Sequence, residues 1–176
     1  MSKIFYYHGL DSTLSNEKRA ILEEFGEVIS PTFDYRNIIV EDVLTDVLDI
    51  QFNLDVDVLI GSSMGGLMAY MASELKDLPC LLFNPALYAN SLGWNQEYIA
   101  DETFYGAPRT QLAYIVLGEK DTVVNYLENR KYIDENVAGP KTLIVEAELE
   151  HSIPVDVFEY HVRSFMQTVH PAFMLI

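Results

Sequence analysis

Asp55-Val-Asp-Val-Leu-Ile-Gly-Ser-Ser-Met-Gly-Gly-Leu-Met-Ala-Tyr-Met-Ala-Ser-Glu-Leu75 reads as three local structures in succession. Val56 to Ile60 is an apolar, β-branched run of strand length, Gly61 to Gly65 is a turn of small residues, and Gly66 to Leu75 has the composition of a helix. The turn has the pattern G-x-S-x-G, and a strand, a sharp turn and a helix are what a nucleophile elbow requires. Gly61 and Gly65 flank the central serine because the backbone there is strained and the helix must pass close to the strand. Ser63 is the candidate nucleophile. A glycine-rich turn that merely packs a helix on a sheet would use the same five residues, so the rest of the chain must discriminate.

Runs of strand length recur at Lys3 to Tyr7, Glu27 to Ser30, Cys80 to Phe83, Ala113 to Leu117 and Thr142 to Glu146. Their near-continuous apolar character predicts strands covered on both faces. Between them, Val40, Val43, Leu44, Val47 and Leu48 follow helical spacing, as do Val155, Phe158, Val162, Phe165, Met166 and Val169. The alternation predicts an α/β fold: a doubly wound, mostly parallel sheet of about six strands with helices on both faces. No linker or repeat divides residues 1–176, which read as a single domain. The stretch after Pro85 breaks the rhythm, and residues 86–108 are expected to form either a small lid or pocket insert or a surface insertion.

A serine hydroxyl needs a base to take its proton and a group to orient that base. Asp121 lies in Leu117-Gly-Glu-Lys-Asp-Thr-Val123 just past one predicted strand, and His151 lies in Glu148-Leu-Glu-His-Ser-Ile153 just past the last. Both fall where open α/β sheets place their ligand crevices, and the order Ser, Asp, His is that of the nucleophile-elbow enzymes. Taken singly, Asp121 could cap a helix starting near Thr122, and His151 could be a solvated loop residue. His161 falls within the last amphipathic helix and His170 precedes a proline, so neither competes as the base. His8-Gly9-Leu10 directly follows the first strand, where a loop can supply one backbone N–H to an oxyanion hole while the residue after the nucleophile supplies the other. Leu10 and Met64 are the candidate donors, with His8 and Gly9 holding the loop's shape.

Composition narrows the partners. With 27 acidic against 11 basic side chains the formal charge is −16, which repels nucleic acid and anionic membrane surfaces. A single cysteine, Cys80, allows no intrachain disulfide, and its apolar neighbours make it a small buried hydrophobe. Neither a signal peptide nor a membrane span is visible, so a cytoplasmic setting is expected. No His-x-x-x-His or paired-cysteine spacing calls for a metal, and nothing calls for a cofactor. The apolar end from His170 to Ile176 packs across the body or against a second copy, which leaves a homo-oligomer open.

Ile4-Phe-Tyr-Tyr-His-Gly-Leu-Asp-Ser12 together with Gly61-Ser-Ser-Met-Gly-Gly66 resembles the small YqiA-like esterases of the α/β-hydrolase superfamily. The resemblance implies a compact hydrolase core without the first two strands of larger members, with the strand ending at Tyr7 leading into the oxyanion loop. By matching position it implies Ser63 as nucleophile, Asp121 as acid and His151 as base. One departure is that Ala147-Glu-Leu-Glu150 replaces a glycine-containing loop before the histidine, which brings Glu148 and Glu150 near the proposed base. The expected activity is a serine hydrolase, of carboxylesterase or thioesterase type, acting on a small-molecule acyl substrate. A serine peptidase or acyltransferase would use the same residues, and a non-catalytic hydrolase-like binding protein is the alternative from another class.

Overall fold

Strand β1, Ser2–Tyr7, is paired with a parallel strand on each side. The computed structural model describes residues 2–36, 55–88 and 109–170, and the elements and contacts below belong to those residues. After β1 come α1 (Asn16–Glu23), β2 (Gly26–Ile29), β3 (Val58–Ser62), α2 (Met64–Lys76), β4 (Cys80–Phe83), β5 (Ala113–Gly118), α3 (Tyr126–Asn136), β6 (Lys141–Glu146) and α4 (Val155–Val169). The helix expected from Val40 to Leu48, the insert beyond residue 88 and the end of the chain beyond residue 170 lie outside the described residues.

The six strands form one sheet in the order β2-β1-β3-β4-β5-β6, and every neighbouring pair is parallel. The chain leaves β1 toward one edge to form β2 and then returns to β1's other side for β3. The ends of β1 and β3 therefore straddle the point where the winding reverses, and that is where a crevice opens in such sheets. Register puts Tyr7 opposite Gly61 and Ser62 opposite Phe83, so these carboxyl ends finish on one edge of the sheet.

Burial follows the period of two. Phe5 and Tyr7 of β1 pack with Leu59, Leu82, Ile115, α2 and Ile133 of α3. Ile4 and Tyr6 face the other way, with Ile60, Phe83, Val116, Leu22 of α1 and Phe158, Val162, Phe165 and Met166 of α4. Alternate side chains thus enter two cores, and each core has its own pair of helices. The edge strand β6 is half-buried along its length, unlike the fully buried β4 and β5.

Strand ends differ from the sequence reading by a residue or two. The third strand starts at Val58 rather than Val56 because Asp57 is occupied by Lys3: its carboxylate accepts the Lys3 N–H at 2.8 Å, and the ladder begins with Ile4 opposite Val58. A larger correction concerns α3, expected to start near Thr122. It begins at Tyr126 and is capped by Asn125, whose side chain accepts the Glu128 N–H at 3.1 Å. Cys80 is buried as expected, but it also faces a charge, since the Arg109 guanidinium lies 3.6 Å from its Sγ.

Candidate active site

Ser63 stands between β3 and α2 with φ 55° and ψ −120°, a backbone conformation that costs a non-glycine residue of order 1 kcal/mol or more. Four backbone bonds hold it there. The Ser63 N–H donates to Phe83 O at 2.9 Å, and its carbonyl accepts the N–H groups of Gly66 at 2.9 Å, Ala86 at 3.0 Å and Leu67 at 3.2 Å. The flanking glycines are required by space. A Cβ at Gly65 would sit 2.2 Å from Tyr7 O and 2.3 Å from His8 O, and one at Gly61 would sit 2.1 Å from Gly65 O. Any side chain at either position would push α2 off the ends of β1 and β3.

Residues far apart in the chain meet at this turn. His151 Nε2 is 3.0 Å from Ser63 Oγ, and His151 Nδ1 is 2.7 Å from Asp121 Oδ2. With Nδ1 protonated and donating to the carboxylate, Nε2 is left free to accept the serine proton. The Asp121 side chain is 2% exposed and that of His151 23%, so the carboxylate is shielded while the imidazole reaches solvent and ligand. Asp121 Oδ1 accepts the N–H groups of Val123 at 2.8 Å and Val124 at 2.9 Å. Asp121 therefore does not cap a helix: one carboxylate oxygen organises the turn after β5 and the other faces the histidine.

His8, buried behind the loop, has Nδ1 2.7 Å from Gly9 O and accepts the Phe33 N–H on Nε2 at 2.8 Å. This pattern suits one neutral tautomer and uses both ring nitrogens on the backbone. Tyr35 Oη donates to His8 O at 3.1 Å, and Arg36 Nε reaches the two oxygens of Asp11 at 2.8 and 2.9 Å. The segment after β2 therefore braces the loop that holds Gly9 and Leu10. Both of these residues line a cavity of about 270 Å³ onto which Ser63 and His151 open. Met64 begins α2, where N–H groups lack helical partners and the helix dipole is positive.

Asn84 belongs to no motif that the sequence displays. It is 1% exposed with φ 41°; its Oδ1 accepts the Gly118 N–H at 2.7 Å, and its Nδ2 donates to Glu150 O at 2.8 Å and His151 O at 3.1 Å. One side chain at the end of β4 thus ties the loop carrying Asp121 to the loop carrying His151. Asn directly after an apolar strand and before Pro85 was the available signal, but it does not reveal the partners. Glu148, expected near the base, pairs instead with the Lys120 ammonium and is largely exposed. Among the described residues no group of three His, Cys, Asp or Glu side chains is placed to hold a metal ion. No helix among them is long and apolar enough to cross a membrane.

A strained serine after the third strand of a parallel sheet, with Asp121 and His151 beyond later strands, is the layout of the α/β-hydrolase fold. Residues 3–105 match the model of an uncharacterised protein family, UPF0227, and the chain belongs to that family. The structure is similar to mouse alpha/beta hydrolase domain-containing protein 10, with a TM-score of 0.70 and 16% identity over 95% of this chain and 90% of that one. It is similar to Est1E from Butyrivibrio proteoclasticus, solved with ferulic acid bound, with a TM-score of 0.71 and 16% identity over 96% and 89%. A monoacylglycerol lipase from Paleococcus ferrophilus gives a TM-score of 0.65 and 16% identity over 95% and 93%. These similarities establish the fold, and the resemblance to the YqiA-like group holds for family and fold. No curated protein matches the sequence.

Proposed function

We propose that the protein is a serine hydrolase that cleaves an acyl ester or thioester through an acyl-enzyme intermediate. The observation that carries this reading is the relay from Asp121 through His151 to Ser63, at 2.7 and 3.0 Å, ending on a serine held at φ 55° beside a cavity. Ser63 Oγ attacks the acyl carbonyl while His151 Nε2 takes its proton. Asp121 keeps the imidazole in the required tautomer and stabilises its cation. The Leu10 and Met64 amides receive the oxyanion, His151 returns the proton to the departing alkoxide or thiolate, and water then releases the acyl group by the reverse use of the same residues. The substrate is a small molecule, and the setting consistent with it is cytoplasmic.

Fluorophosphonate labelling with peptide mapping tests the reading without knowledge of the substrate. Label is expected on Ser63 and is expected to disappear in His151→Ala. Hydrolysis of p-nitrophenyl butyrate should fall by about a thousandfold or more in Ser63→Ala and His151→Ala. A folded Ser63→Ala protein with wild-type esterase activity would falsify the assignment.

A further inference from the structure

The cavity beside Ser63 differs in charge from the molecule around it. The chain carries −16, yet among the described residues lining this cavity there is one ammonium, Lys18, and no carboxylate. Lys18 is half-buried on α1, and its Nζ stands 5.3 Å from the centroid of the buried Phe158 ring. None of the described carboxylates forms an ion pair with it. Its pKa is lowered by burial alone, with no acidic neighbour acting against that shift. Glu17 beside it is engaged elsewhere: its carboxylate is held down by its own amide and by Ser15 at the cap of α1.

Apart from His151, the remaining polar side chains of the lining are hydroxyls, which can donate. Ser12, Thr13 and Ser15 bring hydroxyls to the cavity, as does Tyr6, whose phenol is held protonated by burial with its pKa raised to about 12. A partly desolvated ammonium among hydroxyl donors, with no carboxylate facing it, matches a negatively charged group on the ligand. A neutral acyl chain would give that ammonium no charged partner.

Resting on the hydrolase reading of Ser63, we propose that Lys18 is a specificity-determining residue that selects esters or thioesters bearing a carboxylate or comparable anion near the scissile carbonyl. The long-range field of the acidic chain opposes such substrates. The cavity offsets this locally, because an ammonium in direct contact acts at a distance shorter than the roughly 10 Å over which salt screens charges.

The test compares kcat/KM for mono-p-nitrophenyl glutarate and p-nitrophenyl pentanoate, which share chain length and leaving group and differ in the terminal charge. A second pair, phenyl butyrate with and without a carboxylate on the phenol ring, places the charge on the leaving group. Wild type is expected to favour the anionic member of one pair. The anionic-to-neutral ratio of that pair should fall at least about tenfold in Lys18→Met, which keeps the apolar stem over Phe158, and recover in Lys18→Arg. Ratios unchanged by Lys18→Met in both pairs, with turnover intact, would overturn the proposal and leave the hydrolase reading standing. A fall that Lys18→Arg fails to reverse would also overturn it, pointing to a packing role. Absence of turnover on all four esters, together with absence of fluorophosphonate label on Ser63, would overturn the hydrolase reading and this proposal with it.

Discussion

At the scale of single residues, the site depends on backbone geometry that side chains would ordinarily avoid. Ser63, Asn84 and Asp11 all have positive φ, and all three lie on the loops that end β3, β4 and β1. The consequence is sharpest at Ser63, where the side chain requires the strain and the fold supplies bonds to hold it. Ser63→Gly should therefore be more stable than Ser63→Ala by about 1 kcal/mol, since glycine tolerates φ 55° and alanine does not. Urea unfolding of the two inactive variants checks this, and an equal or lower midpoint for the glycine variant would show that the turn is relaxed. That Ser63, Asp121 and His151 would meet was legible from the sequence because each follows a strand-length apolar run and their chain order has chemical meaning. Asn84 was not, because its work is done through space on a residue 66 positions away. Phe33 and Tyr35 escaped for the same reason: their bonds to His8 span 25 and 27 positions.

At the scale of elements, parallel register converts separate loops into one site. Strands β1, β3, β4 and β5 stop at Tyr7, Ser62, Phe83 and Gly118, and the loops that follow carry Leu10, Ser63, Asn84 and Asp121. A slip of one residue in any pair would turn its side chains to the other core and move its loop off this edge. Helix α4 is fixed to the same sheet by His161, which is fully buried, with Nδ1 3.3 Å from Tyr114 Oη and Nε2 3.0 Å from Glu146 Oε1. Burial lowers the His161 pKa, and its contact with Glu146 offsets this only in part. Below the unfolded value, about 6.5, the unfolded chain binds a proton that the folded chain resists. The His161 contribution to stability is therefore complete above that pH and is lost as pH falls from it toward the lower folded value. Melting temperatures of the wild type should drop between about pH 7 and 5.5 more than those of His161→Gln. Parallel profiles for the two proteins would show that His161 is not the group responsible.

At the scale of the whole molecule, the excess of acidic groups sets a background against which both stability and the site must be judged. Like charges at −16 repel one another across the folded surface, and the exposed ion pairs, such as Arg163 with Glu24, relieve little of this. Raising NaCl from about 10 to 200 mM should therefore raise the melting temperature, by roughly 3 °C for about 1 kcal/mol of screened repulsion. Scanning calorimetry checks this, and a flat or falling trend would mean that the local pairs outweigh the overall field. The cavity of about 270 Å³ at the winding reversal has the opposite local character, because α1 brings Lys18 to the carboxyl edge of the sheet.

Much of this protein was determined by local sequence. Apolar runs marked all six strands, because strands covered on both faces need near-continuous hydrophobicity; the 3.6 period marked α4; and small residues around Ser63 marked a turn that only they can make. What tertiary structure alone decided was the strand order, the split of Asp121 between turn and histidine, the clamp by Asn84 and the placing of Lys18 on the same cavity as Ser63. Each of these is a distance between residues remote in the chain. Periodicity and propensity describe how a segment folds on itself, and only packing of the segments on one another sets which side chains meet.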